Sequence, residues 1–482
     1  MAFLPVILWS DVLIWLLFFA AIVLGWLSAR NPLWRTAWQR VGRSRAGMAS
    51  ATVLLVFVAI GLLDSLHFRP RLEDDAGQSG SATARQPAAY AVEVLSVLDV
   101  IATPLRTRNE KTYSEPLATR AYAKESIESR GADGRLQQSR DYPRLRHGGA
   151  HLGADEASRD ADVGRRLLRA AGIAILAWWA VAAATAAGLA RAEGCSHRAA
   201  WRRIWCNESD FAWNAVLAAV GCLLLVALPL AMLAGQYHVF GTDKVGQDVF
   251  YQVLKSVRTA LVIGLVTTLV TLPLAILLGV LAGYFRGLVD DLIQYLYTTL
   301  SSIPGVLLIA AAVLMMQVLI DNHPQWFATA AERADLRLLA LCFILGMTSW
   351  TGLCRLLRGE TLKLRELEYI QAAQAFGVAD LRIIGRHILP NLMHIVIIAL
   401  VMDFSSLVLA EAVLSYVGIG VDPTMISFGT MINNARMELA REPAVWWSLS
   451  AAFVFMFTLV LAANLLADAV RDAFDPRMAG AA

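Results

Sequence analysis

An all-α, polytopic membrane fold is what this sequence predicts, and three observations predict it. The 482 residues are 57% hydrophobic and only 17% charged, whereas a soluble chain is about 45–50% apolar and about 25% charged. Mean hydropathy is +0.54. Nine apolar segments, at 6–28, 48–66, 167–190, 213–235, 258–284, 291–320, 337–356, 391–417 and 446–470, each approach the roughly 20 residues that cross a bilayer as a helix. The formal charge of +3 says little about partners, because in a membrane protein the location of charge matters more than its sum.

Taken in order, the first segment lacks the basic leader of a signal peptide and reads as retained. The loop after it carries Arg30, Arg35, Arg40, Arg43 and Arg45 with no acid among them, which predicts a cytoplasmic position. Alternation then puts Arg191 to Arg203, Arg286, the 369–391 loop and the C-terminal tail inside as well. Arg355, Arg358, Lys363 and Arg365 agree. The expected topology is N-terminus out, C-terminus in.

Residues 67–166 break the apolar pattern with 16 basic and 15 acidic side chains. Loops longer than about 60 residues escape the charge rule, so this stretch is expected outside. Its Gly, Ser, Arg and Glu content predicts a loosely ordered insert too polar for a large core, with short helices near 90–102 and 117–130. His147 and His151 are four apart with Asp155 beyond, but Gly148, Gly149 and Gly153 oppose the helix that would make them metal ligands. No metal site is expected. Cys195, Cys206, Cys222, Cys342 and Cys354 lie in apolar segments or inside loops, which excludes a disulfide framework and suits reduced thiols.

Within the core, Gly246–Arg258 places Val249, Phe250, Val253, Leu254 and Val257 on one helical face and leaves Asp248, Gln252, Lys255 and Arg258 off it, predicting an amphipathic helix at the outer interface. Gly279 and Gly283 form a small-xxx-small pair for close helix approach. Asp403 and Glu411 fall inside segment eight, where a charge costs about 2.5–3.5 kcal/mol. Spaced a little over two turns apart, they are expected to share a face, either lining a translocation path or pairing with another helix. Asn464 and Asp468 read as interface residues. None of the five lysines follows a glycine, so the phosphate-cradling G-x-x-x-x-G-K-[ST] loop is absent. H-E-x-x-H is absent too, and Val417–Gly420 lacks the rest of a dinucleotide fingerprint. The chain is expected to be catalytically silent and cofactor-free.

The most informative stretch is Tyr369–Asn391, Y-I-Q-A-A-Q-A-F-G-V-A-D-L-R-I-I-G-R-H-I-L-P-N. Residues 363–376 are mostly good helix formers, and Gly377 can take the positive φ that ends a helix. Asp380–Ile388 reads as a second short helix, and Pro390 permits a new one to begin. The expected product is a helix–Gly–helix elbow with small Ala372 and Ala373 on its surface. It resembles the cytoplasmic "EAA" loop of ABC-importer permeases, through Ala372, Ala373, Gly377, Ile388, Leu389 and Pro390, with Gln371 in place of the usual Glu.

Other motifs share the resemblance. F-G-T-D-K-V-G-Q-D-V (Phe240–Val249), G-Y-F-R-G-L-V-D (Gly283–Asp290), S-S-I-P (Ser301–Pro304), L-A-E-A-V-L-S-Y-V-G-I-G-V (Leu409–Val421) and R-D-A-F-D-P-R (Arg471–Arg477) stand in order. Together they resemble the second, C-type permease of dipeptide, oligopeptide and nickel importers; Gln247 departs from the usual Arg. The resemblance covers roughly half the chain and implies a permease core at 236–478 with its coupling loop at 358–390. It implies a bacterial inner-membrane subunit working with a paralogous permease, two ATP-binding cassette ATPases, and a periplasmic or lipid-anchored substrate-binding protein. Membrane lipid is expected as a partner, and nucleic acid is not. Within that reading Tyr369, Gln371, Ala372, Ala373, Gly377, Asp380 and Pro390 form the ATPase-coupling loop. Upstream the chain departs from the family: of the membrane helices in 1–66, the second, after Arg35–Met48, resembles the ordinary start and the first lies ahead of it, while the insert at 67–166 and the additional helices in 167–235 interrupt that beginning. An ion-coupled secondary carrier is the alternative; it predicts inverted repeats and broken helices, and no convincing internal repeat is visible. A membrane-anchored scaffold built on the insert leaves the elbow unexplained.

Overall fold

The computed structural model describes residues 3–30, 32–71, 90–130, 136–153, 155–327 and 329–474. In chain order the first elements are β1 (Phe3–Val6), α1 (Trp9–Arg30), α2 (Pro32–Arg43), α3 (Arg45–Asp64), β2 (His67–Pro70), β3 (Leu95–Ser96), α4 (Val97–Ile101) and α5 (Thr103–Thr107). There follow β4 (Glu125–Arg130), β5 (Leu136–Asp141), α6 (Arg159–Glu193), α7 (His197–Cys206) and α8 (Trp213–Ala234). The second half holds α9 (Val249–Phe285), α10 (Gly287–Ser302), α11 (Gly305–Asp321), α12 (Ala330–Arg365), α13 (Glu368–Ala375), α14 (Asp380–Ile383), α15 (Leu389–Val417), α16 (Phe428–Glu438) and α17 (Trp447–Phe474). Among the described residues, eight helices are long and apolar enough to cross a membrane, and the bent pair α10–α11 makes a ninth crossing. The all-α polytopic fold stands.

Segment six is not the single helix its apolar run suggests. The chain turns by 87° between α10 and α11, where Ile303 is extended and Pro304 cannot continue the preceding helix. The pair nonetheless crosses as a whole, because its flanking helices are parallel. Gly346 lies against Val270, Gly279 against Cys354 and Gly283 against Thr361, so position rises together along α9 and α12. A Cβ on Gly279 would stand 2.8 Å from the Cys354 carbonyl, and one on Gly283 would stand 2.5 Å from Thr361 Cβ. The small-xxx-small pair is thus a close helix contact. Asp290 at the start of α10 binds Arg358 near one end of α12, and Asp321 at the end of α11 binds Arg337 near the other.

All loops sort onto two ends. One end carries β1, β2, the insert and the 235–248 loop; the other carries Arg30–Ser44, α7, Arg286 and the α13–α14 elbow. We call these the insert end and the elbow end.

The expected amphipathic helix at 246–258 is instead the first third of α9, which runs unbroken for 37 residues, about 55 Å at 1.5 Å per residue. Val249, Gln252, Val253, Ser256, Val257, Arg258 and Thr259 are all buried, so no face rests on a lipid surface. The polar residues that suggested a wet face are consumed by protein. Lys255 reaches Asp64 at 2.6 Å and Asp99 at 3.1 Å. Arg258 donates to Asp11 at 2.6 Å and to Ser10 at 2.7 Å, while His67 Nδ1 meets Asp11 at 2.7 Å. Buried charges need such partners, and these fasten α1, α3 and α4 to the core.

The insert is more ordered than its composition predicts. The helix expected near 117–130 is absent; Glu125–Arg130 pairs antiparallel with Leu136–Asp141, which satisfies the backbone by cross-strand bonds instead. Helix near 90–102 is limited to Val97–Ile101, followed by Thr103–Thr107. Leu98, Ala102, Leu105, Tyr113, Ala118 and Leu145 are buried, several of them against Tyr237, Tyr251 and Trp447 of the core. Segment 110–114 lies along the Phe240–Val249 motif: Glu110 N–H donates to the Gly246 carbonyl, and Ser114 N–H to Thr242 Oγ1 at 2.7 Å. A Cβ at Gly246 would fall 1.9 Å from the Glu110 carbonyl, so only glycine, here at φ +78, admits the insert backbone.

One carboxylate closes this contact. Glu110 accepts from the backbone N–H groups of Arg146, His147 and Gly148 at 2.8, 2.7 and 3.1 Å and from His238 Nε2 at 3.3 Å. His238 Nδ1 donates to Asp248 at 2.7 Å. Burial alone would lower the His238 pKa, but its bonds to Asp248 and Glu110 push it up to about 9. Burial would raise Glu110, yet His238 and the three amides hold it down at about 2. His147 and His151 do not converge on a metal site: His147 gives its amide to Glu110, and His151 Nε2 meets Asp162 at 2.8 Å.

Candidate functional site: the elbow and the mid-span carboxylates

Three isoleucines anchor the elbow. Ile370 of α13, Ile383 of α14 and Ile388 before α15 are all fully buried in one cluster with Tyr284, Leu357 and Leu392. Between the anchors, Gly377 sits at φ +75. Its N–H donates to the Gln374 carbonyl at 2.9 Å and the Val378 N–H to Ala373 at 3.1 Å, the paired bonds of a glycine C-cap. Nothing lies within 4 Å of where a Gly377 Cβ would be, so backbone conformation, not crowding, requires the glycine. Phe376 and Leu381 flank it, 87% and 79% exposed.

The other predicted residues fall around this turn. Gln371 and Ala372 are exposed, whereas Ala373 packs half-buried on the core. Gln371 Nε2 donates to the Glu366 carbonyl at 3.3 Å, and the Tyr369 hydroxyl accepts from Asn391 at 3.2 Å. Asp380 accepts from the Tyr284 hydroxyl at 2.7 Å, and that hydroxyl accepts from Gln374 Nε2 at 3.2 Å. One α9 tyrosine therefore ties both arms of the elbow. The tyrosine lies inside the Gly283–Asp290 motif, the only signal that could have pointed to it. In the same motif Asp290 is gripped by both nitrogens of the Arg358 fork at 2.5 and 2.7 Å, and Arg286 pairs with Glu366.

Pro390 starts no separate helix. A single π turn, Ile384–Ile388, joins α14 to α15 without a break. The widened turn stands immediately ahead of Pro390, which lacks an N–H and whose ring crowds the turn before it.

Asp403 and Glu411 stand in different surroundings. Eight residues leave them roughly 80° apart around a helix. Glu411 is buried and accepts from Ser415 Oγ at 2.6 Å and Ser427 Oγ at 3.0 Å, where Ser427 caps α16. Asp403 stands at the midpoint of α15, half-buried beside exposed Met402 and Ser406. Its carboxylate has no partner among the described residues. Asn464, expected at the interface, accepts from Ser405 Oγ and so joins α17 to α15. Asp475–Arg477 of the last motif lie outside the described residues.

Comparison with known proteins matches residues 275–480 to a family described as binding-protein-dependent transport system inner membrane component. The glutathione transport system permease protein GsiD of Pectobacterium atrosepticum is 31% identical over 305 residues, covering 59% of this chain and 93% of that protein. The chain belongs to that family. The dipeptide transport system permease protein DppC of Bacillus subtilis is 27% identical over 58% of this chain and 85% of its own length. For the oligopeptide transport system permease protein OppC of Mycobacterium bovis the figures are 31%, 50% and 77%. The protein is thus a multi-pass inner-membrane permease subunit of an ABC importer, a transporter component built to act with other subunits. The elbow and both carboxylates lie within the matched span, and α1 to α8 precede it.

Proposed function

We propose that the permease carries peptides or related small solutes, and that the α13–α14 elbow receives force from separate ATPase subunits. The observation that carries this is the pair Phe376 and Leu381. Two large apolar side chains stand almost fully in the open on either side of a rigid glycine cap, on a turn whose other face is anchored by three buried isoleucines. Apolar groups held out in this way mark a docking surface. A rigid docked element can move a packed bundle between two arrangements, because packed cores switch rather than bend. Tyr284 carries the movement of both arms directly into α9.

The peptide assignment rests on the substrates named for GsiD, DppC and OppC. Expected partners are a paralogous permease, two ATP-binding cassette ATPases and a periplasmic or lipid-anchored binding protein. ATP hydrolysis belongs to the ATPases, since this sequence has no phosphate-binding loop. The arginine-rich loops favour the elbow end as cytoplasmic, which leaves the insert on the side where a binding protein docks. Asp403 reads as a pathway or partner-facing group, and Glu411 as a structural one. The permease core reads as 236–478 with its coupling loop at 358–390; 1–66 holds N-terminal transmembrane helices, the second of which reads as the family's ordinary start, and 67–166 with 167–235 interrupts that beginning. Phe376→Asp and Leu381→Asp should abolish co-purification of the ATPases and transport while leaving membrane insertion intact. Normal transport by the double variant would remove the elbow from the mechanism.

A further inference from the structure

At the insert end, a cavity of about 740 Å³ opens between β1, β2, α4 and the first turns of α1. Its walls are apolar: Phe3, Val12, Trp15, Phe68, Val97 and Val100 among them. Its polar lining, Asp11, His67 and Ser65, is already engaged: Asp11 and His67 with each other, Asp11 also with Arg258, and Ser65 Oγ with the Gly61 carbonyl. The volume falls within the roughly 300–1,000 Å³ of small-molecule sites.

What can reach the cavity is set by where it opens. Ile7, Val12 and Val100 on its rim are 77%, 39% and 53% exposed. From Val12 the exposed surface continues along α1 through Leu16, Phe19, Ile22 and Val23. That stripe belongs to a membrane-crossing helix, so hydrocarbon covers it and continues into the cavity. One unsatisfied group lies in its wall: Trp15, which lines the cavity, has a buried Nε1–H with no acceptor.

We propose that this cavity is a lipid site, holding an acyl chain of a phospholipid from the leaflet at the insert end. An ester oxygen below the phosphate supplies the acceptor that Trp15 lacks. The bound lipid would brace α1 and β2 against α4, parts of the chain that lie outside the matched family span.

The test uses the full chain purified in mild detergent and offered phosphatidylglycerol or phosphatidylethanolamine, each with a photoactivatable acyl chain. Phosphatidylglycerol should label peptides containing Trp15, Val97 or Val100, and unlabelled phosphatidylglycerol should compete that label away from the unaltered protein. Val100→Trp, at an exposed rim position, should fill the cavity and lose the label with an unchanged melting curve. Labelling elsewhere, label retained in Val100→Trp, or a peptide recovered from the cavity in place of lipid would each overturn the proposal.

Discussion

Gly377 is the residue on which the elbow turns, and its role is conformational. With open space around it and φ at +75, a β-branched side chain there meets no neighbour but costs about 1–3 kcal/mol in backbone strain. Gly377→Val should therefore reduce transport and ATPase co-purification without impairing insertion, while Gly377→Asn, which tolerates the left-handed region, should keep most activity. Equal behaviour of the two variants would show that φ is irrelevant. The two intramembrane carboxylates invite a similar contrast. Glu411 is hydrogen-bonded by two serines, and its loss strands both hydroxyls. Glu411→Ala should destabilise the purified protein by about 1–3 kcal/mol in a thermal melt. Asp403→Ala removes no internal bond and should stay within about 0.5 kcal/mol, with its effect appearing in transport. The reverse order would undo the assignment of roles.

At the level of elements, the insert behaves as part of the bundle. Its contact with the 240–249 loop depends on His238 being protonated and Glu110 being ionised. The His238 pKa is raised, so its contribution is complete below about 6.5 and is lost as pH climbs toward about 9. The Glu110 pKa is depressed, so its contribution is complete above about 4.5 and is lost as pH falls toward about 2. Melting temperature should accordingly decline between neutral pH and pH 9, and His238→Gln should flatten that alkaline limb. An unchanged limb in the variant would mean the histidine does not latch the insert. A chain lacking residues 90–155 should also melt lower, since its loss bares the buried His238–Asp248 pair.

For the whole molecule, the parallel packing of α9 and α12 fixes the parity of every crossing. With α10 and α11 counted as one bent traverse, the elbow and Arg30–Ser44 share one end, and the insert lies at the other. Which end faces the cytoplasm is open to direct measurement. In a background without Cys206 and Cys222, cysteines at exposed Lys111 and Phe376 should label differently with an impermeant maleimide in intact cells. Lys111→Cys should react and Phe376→Cys should stay protected; the opposite pattern would invert the proposed orientation.

Much of this was legible in the sequence because the causes are local. Twenty-residue apolar runs become helices in a bilayer, where backbone groups have no other means of satisfaction. A glycine among helix formers ends a helix, so Gly377 and the elbow could be read directly. What stayed hidden depends on neighbours brought from far along the chain. Lys255 and Arg258 read as a wet helical face because their partners Asp64, Asp99 and Asp11 belong to separate segments. The insert read as loose because many of its buried side chains pack on core residues more than a hundred positions away. Asp403 and Glu411 looked equivalent in one apolar run. Only the packing of α15 against α16 added the Ser427 donor to the Ser415 hydroxyl on Glu411's own helix, while Asp403 has no partner among the described residues, because burial and satisfaction are properties of the assembled bundle.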